Sequence, residues 1–313
     1  MENLILTGNI VLPLFLLIAA GFALRRAGIV GESLSDGLNL LVFELFLPAM
    51  IFETIYETEV GGVFDAGLLG FSAVFTLAVT GLSMWIVPKL EPDDRKRGTL
   101  VQAIFRSNVV IFGLPLVNAI LGEGNSGPTA LLIAFMIPLF NILSVMVFAY
   151  YGGGKTDFRS FLRSCLKNPL MIACALGLLF LAAGWRLPDL LAQGVRSVSS
   201  ASSTISLVAL GTSIEFRKMP GNIKQLAIGL LGRLAVAPAL GIAAAALCGF
   251  RGASMVPLLA MLCTPTSVSS FAMAKNMGAD GELAGELVVT SMVFSLFSIF
   301  FAVYLSISLG LIE

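Results

Sequence analysis

The chain has no histidine among its 313 residues. That removes the commonest general base, the usual neutral metal ligand and the side chain that titrates near neutral pH. Cysteine is scarce: Cys165, Cys174, Cys248 and Cys263 show no paired spacing. At least three of them sit in apolar runs, so they read as small hydrophobes and not as a disulfide or metal framework. Charge is sparse as well, at 12% of residues, where a soluble domain keeps about 25%. Formal net charge is zero, so neither an acidic nor a basic partner is implied and nucleic acid is not expected. No nucleophile–base pair or metal-ligand cluster is apparent. An enzyme is therefore not expected, nor is a cofactor.

Apolar surface takes the place of charge. The hydrophobic share is 57% and mean hydropathy is +0.95, a composition that belongs to a polytopic membrane protein. A helix crosses a bilayer in about 20 residues. Uncharged runs of suitable length cover Ile5–Leu24, Ala66–Val87, Pro128–Tyr151, Ser197–Ile214, Gly252–Ala274 and Leu287–Ile312, and Pro169–Trp185 is a shorter one. Three further runs each hold one charge: Gly37–Phe52 with Glu44, Gly98–Leu121 with Arg106, and Gln225–Phe250 with Arg233. Together they predict an all-α protein of ten spans. The basic pair Arg25 and Arg26 follows the first run, which is not the order of a cleavable signal peptide.

The chain is also written twice. An offset of 156 takes Pro13 to Pro169, Leu14 to Leu170, Gly21 to Gly177, Gly28 to Gly184 and Gly122 to Gly278 with no insertion. Residues 1–151 form the first five-span copy, 152–168 a Gly-rich basic linker, and 169–313 the second copy. An odd span count inverts the second copy relative to the first, an arrangement that recurs in secondary transporters. Loops after odd-numbered spans carry 14 of the 19 basic residues. By the positive-inside rule both termini are expected outside, with the linker cytoplasmic.

Spans 4 and 9 carry interruptions at equivalent places. Span 4 reads Arg106-Ser107-Asn108 and then Gly113-Leu114-Pro115, and span 9 reads Thr264-Pro265-Thr266-Ser267. Proline removes a backbone donor and clashes with the preceding turn. A polar patch at this depth is tolerated only inside protein or along a wet cavity. Asn108 lies about 15 Å along its helix from Gly98, near the bilayer centre. Either the prolines are ordinary membrane-helix kinks, or the two broken helices cross and present half-helix N-termini to a carboxylate.

The ordered motifs carry a resemblance. Pro13-Leu14-Phe15, Leu47-Pro48-Ala49-Met50-Ile51-Phe52, Phe105-Arg106-Ser107-Asn108, Phe112-Gly113-Leu114-Pro115, Leu210-Gly211-Thr212-Ser213 and the Pro265 span together resemble the auxin efflux carrier family, over nearly the whole chain. The resemblance implies a fold similar to bile acid:sodium symporters, with spans 1, 2, 6 and 7 as scaffold and the others as a core containing the crossover. The short linker favours a bacterial malate- or malonate-permease-like carrier over a plant auxin carrier. It implies Asn108 with a break at Gly113–Pro115 as the first crossover, and Thr264, Pro265 and Thr266 as the second. Span 9 lacks the acidic sodium ligand of the bile acid relatives, which favours a proton over sodium as coupling ion.

The intramembrane charges leave alternatives open. Glu44 and Arg106 sit at similar depth, as a proton-coupling carboxylate with its neighbour or as a structural ion pair. Arg233 meets either an anionic substrate or a helix C-terminus. Glu53, Glu57 and Glu59 read as a solvated rim. The hydroxyls from Ser197 to Ser206 line a vestibule or serve close helix packing. The expected function is a secondary carrier of a small organic anion in the cell inner membrane. Its partners would be that anion, the lipid bilayer and at most a second copy as a homodimer. A cation-coupled exchanger on the same architecture and a transporter-fold channel or sensor are the rivals.

Overall fold

In the computed structural model, residues 2–57, 65–122, 125–152, 169–213 and 221–312 are described. The linker from 153 to 168, the rim residue Glu59 and the basic residues Arg217 and Lys218 lie outside them. The described chain is helical. It runs through α1 (Glu2–Arg26), α2 (Glu32–Leu41), α3 (Leu47–Tyr56), α4 (Ala66–Leu90), α5 (Asp94–Phe105), α6 (Leu114–Leu121) and α7 (Gly127–Gly152). It continues as α8 (Pro169–Ala183), α9 (Asp189–Thr212), α10 (Ile223–Leu231), α11 (Ala237–Leu247), α12 (Met255–Cys263), α13 (Ser269–Asn276) and α14 (Gly281–Ser308). π-Helical turns at Val42–Phe46 and Gly232–Val236 join α2 to α3 and α10 to α11, and a third, Val109–Gly113, leads into α6.

Among the described residues, six helices are long and apolar enough to cross a membrane: Thr7–Arg26, Glu32–Glu53, Ala66–Leu90, Gly127–Gly152, Ile223–Leu247 and Gly281–Ser308. The other four expected spans fall short for distinct reasons. The fourth and ninth are each split in two. The sixth is 15 residues long as α8, and α9 carries Asp189, Arg196 and its run of serines.

Helix boundaries repeat at the offset found in the sequence. Shifted by 156, α4 maps to 222–246 against the observed helical stretch Ile223–Leu247, and α7 maps to 283–308 against Gly281–Ser308. Gly28 and Gly184 take φ of 73° and 65°, and Gly122 and Gly278 take 82° and 75°. These are left-handed ends that a side chain would strain.

Packing joins the N-terminal and C-terminal halves of the chain. α1 lies along α9, and α3 along α8. At the first contact a Cβ on Gly21 would sit 2.0 Å from the Val208 carbonyl, and one on Gly211 2.0 Å from that of Ile18. At the second, a Cβ on Gly177 would sit 3.0 Å from that of Ile55. Hydroxyls lace this group together. Ser35 and Thr212 share a hydrogen bond of 2.8 Å, and Ser202 donates to the Phe46 carbonyl at 2.6 Å. A second group forms as α5 packs on α4 and α7, α10 on α14, and α11 on α12. The groups meet where α1 touches α6 and α14, with Phe15 against Phe112 at 6.1 Å between centroids.

Candidate functional site: the crossing of two broken helices

Within the second group, α5 ends at Phe105 and α12 ends at Cys263, and the segments that follow are extended. The extended segments pair. Ser107 and Thr266 form an isolated antiparallel bridge. The Asn108 N–H donates to the Pro265 carbonyl at 2.8 Å, and the Ser267 N–H to the Arg106 carbonyl at 3.1 Å. Backbone groups freed by breaking one helix thus find partners at the break in the other, which is what lets irregular backbone persist inside the protein at this depth. Thr266 ties the crossing further: its hydroxyl donates to the Ala103 carbonyl at 3.0 Å, and its N–H to the Ser291 hydroxyl of α14 at 3.1 Å.

The break in span 4 lies at Arg106–Asn108, not at Gly113–Pro115, which corrects the expectation that Pro115 interrupts the helix. Pro115 lies inside the continuous helix Val109–Leu121, one residue beyond the π-helical turn Val109–Gly113, where the wider ladder accommodates it. Gly113 serves approach instead: a Cβ there would lie 2.9 Å from Val109 Cγ2 and 3.3 Å from Ala260 Cβ. It allows the outgoing half of span 4 to lie on α12.

Polar atoms collect at the crossing without partners. Asn108 is 4% exposed and Thr264 0%, yet among the described residues Asn108 Nδ2, Ser107 Oγ and Thr264 Oγ1 have no hydrogen-bond partner. Ser270 Oγ, at the start of α13, is likewise buried and unmatched. Asn108 holds the N-cap position of the helix that follows but makes no side-chain cap bond, although Asn is among the best capping residues. Leaving a buried polar group unmatched costs about 1–3 kcal/mol, so several in one place mark a site that a ligand or water completes.

The three intramembrane charges part company. Arg233, on the π-helical turn of span 8 and 3% exposed, donates to four backbone carbonyls: Thr264 at 2.9 Å, Ile104 at 3.2 Å, Met261 at 2.7 Å and Leu262 at 3.1 Å. These lie at the C-terminal ends of α5 and α12, so of the two roles foreseen the guanidinium fills the helix-terminus one. Arg106 donates to Asn141 Oδ1 at 2.6 Å, Ser144 Oγ at 3.0 Å and Ser269 Oγ at 2.9 Å. Glu44 is exposed on the π-helical turn of span 2, and no ion pair among the described residues joins it to Arg106. Equal depth along two helices fixes neither their separation nor the face each presents. Rim residues Glu53 and Glu57 are paired with Arg196.

Sequence reasoning passed over Asn141, Ser144 and Ser291, and read Ser107 and Ser269 only as parts of the polar runs in spans 4 and 9. The available signal was a lone Asn or Ser inside an otherwise apolar run, which at such depth calls for a polar neighbour.

Residues 9–303 match the family described as "Membrane transport protein". The chain belongs to that family. It is the one identified above by resemblance to auxin efflux carriers. Similar proteins include an uncharacterized transporter of Methanothermobacter thermautotrophicus, 22% identical over 291 residues, covering 92% of this chain and 95% of the relative. Another is an uncharacterized transporter of Methanocaldococcus jannaschii, 23% identical over 301 residues with the same coverages. The likeness spans both breaks, so the crossing lies inside the shared transport architecture.

Proposed function

We propose that this membrane transport protein is a secondary transporter that moves a small organic anion, a mono- or dicarboxylate, by alternating access around the crossing of spans 4 and 9. The observation that carries the reading is the paired break with Asn108 Nδ2, Ser107 Oγ and Thr264 Oγ1 buried and unmatched. The helix Val109–Leu121 and α13 both begin beside it. Helix N-termini carry partial positive charge and unmatched N–H donors, and Arg106 adds a guanidinium at Ser269, the first residue of α13. Donors and positive potential converging on one place suit a carboxylate. In this reading ten spans form two inverted repeats with both termini outside the cell membrane. The group containing α1, α3, α8 and α9 is the scaffold against which the core moves, with a proton as the coupling ion.

Purified protein in liposomes loaded and diluted against radiolabelled malate, malonate, lactate and acetate would test this, with and without sodium and across a pH gradient. Saturable uptake of at least one acid, matched by thermal stabilisation through mass action, is the expected result. Stabilisation by sodium alone with no acid uptake would replace the anion carrier with a cation exchanger.

A further inference from the structure

Arg233 lies one group away from the unmatched atoms. Its Nε donates to the carbonyl of Thr264, the residue whose hydroxyl is unmatched. Its other nitrogens close the final turns of α5 and α12. A helix C-terminus carries about half a negative charge, and an N-terminus about half a positive one. Two broken helices crossing at their breaks therefore bring about one negative charge and about one positive charge to the same place, and their fields cancel. A guanidinium on the two C-termini neutralises the negative pair and leaves the N-termini of Val109–Leu121 and α13 to set the potential.

We propose that Arg233 is a positioning residue that makes the crossing electropositive: by neutralising both half-helix C-termini it selects an anionic cargo over a cationic one, without itself touching the cargo. The proposal rests on the carrier reading above for its cargo, but its own content is the sign of a field. A cation is favourable where it stands, since an isolated membrane charge costs several kcal/mol and here meets four carbonyl dipoles. Only arginine presents donors in a fork wide enough to serve carbonyls on two helices at once.

The test reads the field directly. In protein with its four cysteines replaced by alanine, Asn108→Cys supplies a thiol at the crossing. Its rates with a negatively charged sulfonatoethyl and a positively charged trimethylammonium-ethyl methanethiosulfonate are measured, each relative to a free thiol. The negative reagent should be favoured with Arg233 present. Arg233→Gln should lower the ratio about tenfold or more, the size expected for one charge removed at some 10 Å in a medium of intermediate dielectric. Arg233→Lys, which keeps the charge and loses the fork, should restore most of the ratio even where it lowers thermal stability. A merely structural arginine would move stability in both variants and leave the ratio alone. An unchanged ratio in folded Arg233→Gln protein overturns the proposal and leaves the carrier reading standing. A ratio no higher than that of the free thiol with Arg233 intact overturns it without any variant at that position. Failure of acid uptake with the ratio shifting as expected would instead remove the carrier reading and keep the field.

Discussion

Asn108 and Arg233 show opposite fates for polar side chains at one depth. Arg233 donates to four carbonyls, whereas among the described residues the Asn108 amide nitrogen is buried with no partner. Removing the amide should accordingly spare the fold and weaken the ligand: Asn108→Ala is expected to cost about 1–3 kcal/mol in binding with the melting temperature of the free protein unchanged or raised. Unaltered affinity for an acid that wild type transports would take Asn108 out of the site. For Arg106 the expectation follows its observed partners. A double-mutant cycle of Arg106→Met with Asn141→Leu should give a coupling of about 0.5–3 kcal/mol, while Glu44→Gln with Arg106→Gln should be additive within about 0.5 kcal/mol. Coupling in the second cycle and none in the first would restore the Glu44–Arg106 pair.

Three of the prolines share one local solution. Pro48, Pro115 and Pro238 each follow a five-residue π-helical turn by one residue. Within an α-helix proline collides with the carbonyl four residues back. Here those carbonyls belong to Glu44, Ile111 and Leu234, all inside the π-helical turns, where the wider ladder moves them aside. One freed carbonyl is taken up elsewhere: Leu234 accepts from the Ser298 hydroxyl at 2.6 Å. These three prolines therefore sit within continuous helices, and the breaks in spans 4 and 9 fall where a second strand of backbone is at hand to pair. Gly113 is the close contact between the two broken helices. Gly113→Ala should destabilise by about 1–3 kcal/mol through overpacking. Val109→Ala, which removes the nearer of the two obstructing methyls, should recover part of the loss in a thermal melt. No recovery would place the obstruction at Ala260.

For the molecule as a carrier, the contact between the two helix groups is the informative surface. Phe15 on α1 and Phe112 beside the crossing face each other across it, whereas Ser35 and Thr212 touch within one group. If the groups rock against each other, a short bifunctional thiol reagent joining Phe15→Cys to Phe112→Cys should abolish uptake and leave acid binding measurable on one side. The same reagent across Ser35→Cys and Thr212→Cys should leave uptake near wild type. Full uptake by the first cross-linked protein would exclude relative movement at that contact.

Composition alone determined that the chain is a membrane-embedded helical protein, because a mean hydropathy of +0.95 leaves no soluble way to cover its surface. The 156-residue offset was likewise legible: Gly28 with Gly184, and Gly122 with Gly278, needed the same backbone freedom and kept the same residue. The candidate site was legible as a region, since Asn108 and Thr264 are polar residues that a bilayer does not tolerate unless protein surrounds them. Tertiary structure alone decided the rest. It moved the break of span 4 from Pro115 to Arg106–Asn108, because a helix opens where another backbone can take its hydrogen bonds and not simply where proline stands. It also separated Glu44 from Arg106 and gave Arg233 to the ends of two helices. Partners of a buried charge depend on which helix faces turn together in space, and depth along a span carries no information about that.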